Sequence, residues 1–249
     1  MVYYNEINAN AVSRLKDLIC RGLIPYGDVD TRSIEDVTPK DLEGYVQCHF
    51  FAGIGGWSYA LRLAGYPDDK PVWTGSCPCQ PFSTAGKHLG TADVRHLWPA
   101  WFWLIKQRKP PVIFGEQVDS GIRQCWLDIV SSDLESEEYS VGAASLCAAS
   151  VGAPHTRQRL YFVAHSNGYG KQGLLAPACV SQMRPWGSFG EMDLQSILDC
   201  PFLPGGSFPQ PLFRKMVDGV SNRVGRTEGY GNAIVPQVAS RFIRAALSS

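Results

Sequence analysis

A cysteine between a proline and a glutamine, a glutamate closing an apolar run, and two arginines separated by one residue are the positions whose chemistry stands out. Cys79 lies in Gly75-Ser76-Cys77-Pro78-Cys79-Gln80-Pro81-Phe82-Ser83, just after the run Val72-Trp73-Thr74. A thiol in a turn after a strand can have its pKa lowered and act as a thiolate nucleophile. Free cysteine is also among the most buried residue types, and the tripeptide alone admits both readings. Glu116 follows Val112-Ile113-Phe114-Gly115. A carboxyl there is either kept protonated by desolvation, able to donate to a substrate nitrogen, or a capping or solvated glutamate. Arg157 and Arg159 precede Leu160-Tyr161-Phe162-Val163-Ala164. A period of two puts both on one face, where guanidinium groups can bind base oxygens or phosphates, or simply form a basic strand edge. Phe51-Ala52-Gly53-Ile54-Gly55-Gly56 is a glycine-rich turn. Such a turn lets backbone approach a ligand and opens onto a helix N-terminus with free N–H groups.

The elements that must position these groups alternate along the chain. Val2-Tyr3-Tyr4 predicts a short strand, and Val12, Leu15, Leu18, Ile19 and Leu23 recur at helical spacing. Gly22 sits near the end of that helix, and Pro25-Tyr26-Gly27-Asp28 predicts a turn. Tyr45 to Phe51 predicts a strand, followed by a helix from Trp57 to about Ala64. Further strands are expected at Val72–Thr74, Val112–Phe114, Tyr139–Cys147 and Leu160–Ala164, with helices near His96–Gln107, Gln124–Leu134 and from Pro236 onward. This alternation predicts an α/β, doubly wound, mostly parallel sheet, with functional groups at the carboxyl ends of its strands. From His165 to about Phe213 glycine, proline and serine accumulate and periodicity is lost. The expected organisation is a catalytic domain over 1–164, a small module over 165–213, and a C-terminal segment, 214–249, packing back on the first.

The 249 residues are 45% hydrophobic and 18% charged, an ordinary globular composition without a disorder signature. No apolar run approaches the roughly 18 residues of a membrane span. Met1 to Asn10 is polar and lacks a signal-peptide core, so a cytoplasmic protein is expected. Eight scattered cysteines suit reduced thiols. Cys77 and Cys79 lack the second pair a zinc site needs, so no metal is expected. Net charge is zero, but residues 156–249 hold ten Lys/Arg against five Asp/Glu. A basic C-terminal part can face a phosphate backbone, or the asymmetry is incidental.

Taken together, the Pro-Cys-Gln loop, the glycine turn, Glu116-Gln117-Val118, Arg157-Gln158-Arg159-Leu160-Tyr161 and Gly231-Asn232-Ala233-Ile234-Val235-Pro236 resemble the motifs of DNA cytosine-C5 methyltransferases. The resemblance covers nearly the whole chain except residues 165–213. It implies a Rossmann-like methyltransferase sheet with a small target-recognition module, S-adenosylmethionine as cofactor, double-stranded DNA as partner, and a monomer in a prokaryote or a virus of one. The family places a longer stretch between glycine turn and catalytic loop than the 27 positions from Phe51 to Pro78 here. Tyr4-Asn5-Glu6-Ile7-Asn8 instead resembles its ribose-binding strand end, and Gly27-Asp28-Val29-Asp30-Thr31-Arg32 its adenine-binding turn. Both precede the glycine turn, so the motif order looks circularly permuted.

By this resemblance Cys79 adds to C6 of a flipped cytosine, Glu116 holds N3 and the exocyclic amine, Arg159 binds O2, and Arg157 supports the loop or a phosphate. Glu6 takes the ribose hydroxyls and Asp28 or Asp30 the adenine amine. Phe51, Gly53, Gly55, Pro78 and Asn232 complete the cofactor cleft. Gln80, Ser83, Arg184 and Arg214 are DNA-contact candidates, as are Trp186, Phe189 and Lys215. Three positions depart from the family pattern: Gln117 replaces an asparagine, His155 a glutamine and His49 an acidic residue. Two other activities stay open for such a chain: cofactor-independent deamination of cytosine to uracil, and DNA binding without reaction.

Overall fold

The computed structural model describes residues 1–78, 97–118, 123–153, 157–167 and 233–247. Cys79, Gln80, Ser83, His155, Arg184, Trp186, Phe189, Arg214, Lys215 and Asn232 lie outside the described residues, as does nearly all of the expected recognition module. The strands are β1 (Val2–Asn5), β2 (Gly27–Asp30), β3 (Gln47–Phe50), β4 (Val72–Gly75), β5 (Val112–Val118), β6 (Tyr139–Cys147) and β7 (Gln158–Ser166). The helices are α1 (Ala9–Cys20), α2 (Gly56–Ala64), α3 (Trp98–Arg108), α4 (Arg123–Ser136) and α5 (Pro236–Leu247).

The strands form one seven-stranded sheet in the order β2-β1-β3-β4-β5-β7-β6. From β2 to β5 every pairing is parallel, whereas β7 runs antiparallel to both of its neighbours. β1, β3 and β4 are buried throughout, as central parallel strands covered on both faces must be. Alternate residues serve opposite layers. Tyr3, Phe50, Trp73, Ile113 and Phe162 pack with Trp98, Trp101 and Leu104 of α3 and Val130 and Leu134 of α4. On the other face Val72, Phe114 and Tyr161 pack with Trp57 and Leu61 of α2 and Val238 and Ile243 of α5. Leu15 of α1 joins Val2, Tyr4 and Ile24 on that second face. The protein is therefore a doubly wound α/β layer structure.

Two expectations are corrected. Gly27–Asp30 is a strand, β2, and not part of a turn. It is only four residues, half-buried and polar, so no apolar alternation announced it. Gly27 lies so close to β1 that a Cβ would stand 2.1 Å from the Val2 carbonyl oxygen. The first helix ends at Cys20, before Leu23. Gly22, at φ +66°, turns the chain, and the bonds Gly22 N–H to Ile19 O and Leu23 N–H to Leu18 O close a Schellman-type cap.

The hands of the crossovers carry topological information. α1 and α2 cover the same face: a Cβ on Gly55, just before α2, would meet Leu15 of α1 at 3.1 Å, and the Tyr4 hydroxyl lies 3.2 Å from Ser58 of α2. α1 leads from β1 to β2 and α2 from β3 to β4, in opposite directions across the sheet. Crossovers on one face running in opposite directions have opposite hands. β4–α3–β5, over the other face, shares the hand of β1–α1–β2. Parallel crossovers are right-handed in about 98% of cases, so β3–α2–β4 is a left-handed one.

Across the centre of the sheet Tyr4, His49 and Thr74 stand in register. The His49 ring stacks on Tyr4 at 5.1 Å, its Nδ1 lies 2.8 Å from Thr74 Oγ1, and its buried Nε2 has no hydrogen-bond partner among the described residues. Burial pushes its pKa down to about 3. An unfolded histidine titrates near 6.5, so below that pH the unfolded chain takes up a proton the folded chain refuses. Stability attached to His49 is present above about pH 6.5 and is lost as pH falls toward about 3, by up to about 1.4 kcal/mol per pH unit. His165, also lowered by burial, acts in the same direction. Urea unfolding followed from about pH 6.5 down to pH 4 should therefore show a shallower loss in His49→Gln than in the parent; equal slopes would exclude His49 as a source.

Candidate active site

β1 leads the chain toward one side of the sheet and β3 toward the other, so a crevice opens between their carboxyl ends. Glu6 follows β1 there, and Phe51 to Gly55 follow β3. The Glu6 carboxylate accepts from two backbone N–H groups, Asn8 through Oε1 at 2.8 Å and Gly53 through Oε2 at 2.7 Å. Each oxygen keeps a second lone pair. Phe51, Gly53 and Gly55 all have positive φ, +50°, +55° and +79°, so the turn needs the left-handed region three times. Glycine meets that demand without strain at two of them, and Phe51 bears it beside a cavity. Gly56 opens α2, and a Cβ on it would stand 2.7 Å from Ile234 Cγ1, so the residues before α5 press on the helix start.

A cavity of about 600 Å³ occupies this crevice. Among its lining residues are Glu6, Phe51, Gly53 and Pro78, all expected from the sequence. Neither Asp28 nor Asp30 lines it; Arg32, Ser33 and Ile34 form the wall beyond β2. Asp28 accepts from the Tyr45 hydroxyl at 2.6 Å. Asp30 accepts from Tyr3 at 2.7 Å and from the Arg32 side chain at 2.6 Å. Burial works to raise the Asp30 pKa, but Arg32 and Tyr3 outweigh it and hold the carboxyl below its usual range. Trp57 and Ser76 also line the cavity, and neither was singled out in the sequence. Trp57 immediately follows the glycine turn, which was the available signal. Its indole N–H donates to Ser76 Oγ at 3.0 Å, joining the start of α2 to the segment leading to Cys79.

Glu116 stands two strands beyond β3, near the end of β5, and is 5% exposed. Because β7 is antiparallel, its first residues lie at the same sheet edge as the ends of the parallel strands. Val118 pairs with Arg159 and Glu116 with Tyr161. That register brings Arg159 Nε to 2.9 Å from Glu116 Oε1. Among the described residues the pair is an ion pair, and neither of these two atoms has a further hydrogen-bond partner. Burial pushes the Glu116 pKa up, against the opposing pull of Arg159, Arg157 and a hydrogen bond from Ser76. Burial also lowers the Arg157 pKa, helped by the Arg159 charge. The arrangement is a desolvated carboxyl beside two guanidinium groups. Cys79 lies outside the described residues, but the segment immediately before it, Ser76-Cys77-Pro78, runs between the cavity and Glu116.

The family model for C-5 cytosine-specific DNA methylase matches residues 65–190, half of the chain. The chain belongs to this family. It is 30% identical over 184 residues to the Type II methyltransferase M.HhaI of Haemophilus parahaemolyticus, covering 57% of this chain and 55% of that protein. It is 32% identical over 132 residues to the Type II methyltransferase M.NgoBI of Neisseria gonorrhoeae, covering 50% of this chain and 40% of that protein. The chain thus spans about half the length of these relatives, or less. A solved structure of a Spodoptera frugiperda DNMT2 variant aligns with 23% identity and a TM-score of 0.44, covering 68% of this chain and 43% of that one.

The position of Glu116 depends on its neighbour. A Cβ on Gly115 would stand 1.9 Å from the Phe162 ring, which is itself buried against Trp101 and Trp126. Gly115→Ala is expected to destabilise the fold by about 1–3 kcal/mol, read as a lower urea midpoint. An unchanged midpoint would mean the Phe162 ring yields without cost.

Proposed function

We propose that this chain methylates C5 of cytosine in double-stranded DNA, using S-adenosylmethionine and a covalent bond from Cys79 to C6. The observation that carries the reading is the buried Glu116, its pKa raised by burial, with Oε1 2.9 Å from Arg159 Nε. In its protonated form, which burial favours, the carboxyl can donate to the N3 edge of a pyrimidine, and an adjacent guanidinium can hold its O2. Family membership supplies the cytosine and the DNA.

The residues present fit the cofactor. Glu6 is held by two backbone N–H groups with lone pairs left for ribose hydroxyls, and Gly53 leaves open space where a side chain would stand. S-Adenosylmethionine, when bound, supplies an electrophilic methyl group. Cys79 thiolate adds to C6, and its electron pair makes C5 nucleophilic. Glu116 and Arg159 stabilise the charge that spreads over N3 and O2. After C5 has taken the methyl, a base removes the C5 proton and the Cys79–C6 bond breaks. C6 is closed to a thiolate within a stacked duplex, so the base is extruded first, at a cost of a few kcal/mol. Gln80, Ser83, Arg184 and Arg214 are proposed DNA contacts, and Asn232 a further contact to the cofactor.

The permuted motif order belongs to the same proposal. Its support is that β1 with Glu6 and β2 precede the glycine-turn strand in the chain yet extend the sheet on its far side. The left-handed β3–α2–β4 crossover also supports it: a helix on that face leading from β3 to β1 would be right-handed, and rewiring it to β4 reverses the hand. The family match begins at residue 65, after the glycine turn.

Digestion of DNA incubated with the protein and labelled S-adenosylmethionine should release labelled 5-methylcytosine, and Cys79→Ser should release none. Deoxyuridine formed without added cofactor would establish deamination instead, and unchanged cytosine a chain that only binds. Glu6→Ala should weaken S-adenosylmethionine binding at least about tenfold, since hydrogen bonds to a charged group contribute roughly 1.5–3 kcal/mol each. Undiminished affinity by calorimetry would remove the ribose assignment and with it the permutation.

A further inference from the structure

Consecutive residues of a strand point to opposite faces, and the end of β5 uses both. Glu116 belongs to the face of Phe114 and Trp57. Gln117 points to the other, where the Cys77 side chain is also buried. Gln117 is 4% exposed, and its two polar ends are both engaged. Nε2 donates to the Cys77 carbonyl oxygen at 3.2 Å, and Oε1 accepts from the Val118 N–H at 2.8 Å. The partners are of opposite character, so turning the amide over would set oxygen against oxygen and N–H against N–H. The orientation of the side chain is thereby fixed.

Cys77 is followed by Pro78, whose ring holds φ near −65°. A hydrogen bond that fixes the Cys77 carbonyl therefore fixes the peptide plane entering a rigid residue. On its other side the same segment is anchored by Trp57 through Ser76. We infer that Gln117 is a positioning residue: its amide, bound to the Cys77 carbonyl, fixes the backbone from which the chain enters Pro78 and the nucleophile proposed after it. It touches neither cofactor nor base in this role, and it acts only through the backbone before Cys79. The extra methylene that distinguishes it from the family's asparagine is part of the reach from β5 to that carbonyl. The inference rests on the proposed methyltransferase reading.

The test is the rate at which a duplex containing 5-fluorocytosine is trapped as a protein adduct, with saturating S-adenosylmethionine and a single turnover. Trapping by the parent chain checks the reading itself, and its absence would sink that reading. Given trapping, Gln117→Leu, which keeps the volume but loses both hydrogen bonds, should slow adduct formation about a hundredfold, as expected when reacting atoms are displaced by about an ångström. Gln117→Asn, with the amide kept but the reach shortened, should fall between the two. The dissociation constant for S-adenosylmethionine should change less than about twofold in both. A merely structural glutamine would lower the folded fraction and leave the rate per folded molecule alone. That result, or an equal loss in cofactor affinity, would overturn the inference. If Gln117→Leu does not fold, Gln117→Asn alone decides it by the same readout.

Discussion

The Glu6 carboxylate, held by the N–H groups of Asn8 and Gly53, ties two neighbouring parallel strands together where the chain departs in opposite directions. Without that abutment the crevice would have no closed end, because β1 supplies one lip and the glycine turn the other. The parallel register of Asn5 with Phe50 makes it possible. It brings a residue just past one strand end to the backbone just past the next. The same bonds restrain a turn whose left-handed residues include a phenylalanine, a strained conformation that the cavity and Trp101 help define.

The second half of the site follows from a change of strand direction. Were β7 parallel, its leading arginines would emerge at the far edge of the sheet. Running antiparallel, it delivers Arg159 to Glu116 while its later residues, Phe162 and Ala164, fill the core behind. Desolvation and guanidinium charge act on Glu116 in opposite senses. The net upward shift says that burial prevails, and burial is supplied by the sheet and by Trp57, Phe114 and Tyr161 stacked beneath. The placing of Glu116 beside Arg159 and the packing of the core are thus one arrangement.

The apolar runs at Val112–Phe114 and Leu160–Ala164 announced their strands, because burial on both faces favours continuous hydrophobicity. β2 gave no such signal: an edge strand reading Gly-Asp-Val-Asp is fixed by its neighbour and not by its own composition. Glu6, Phe51 and Gly53 were legible as cavity residues since each sits at a strand end. The occupations of Asp28 and Asp30 were not, because they depend on Tyr45, Tyr3 and Arg32, whose side-chain directions depend on register and packing. The link of Trp57 to Ser76 was hidden for the same reason, and so was the hand of the α2 crossover, since no local pattern states which layer a helix joins.

That left-handed connection bears on how the molecule assembles. A right-handed strand–helix–strand unit forms as a local nucleus, its helix falling naturally onto the strands it joins. The unit through α2 lacks this advantage, and its apolar side also packs against α5, far along the chain, with Ile234 against Gly56. Closure of long loops must precede those contacts, which slows a folding reaction. The start of α2, with the glycine turn before it, therefore takes its final surroundings from residues that lie about 180 positions further along the chain.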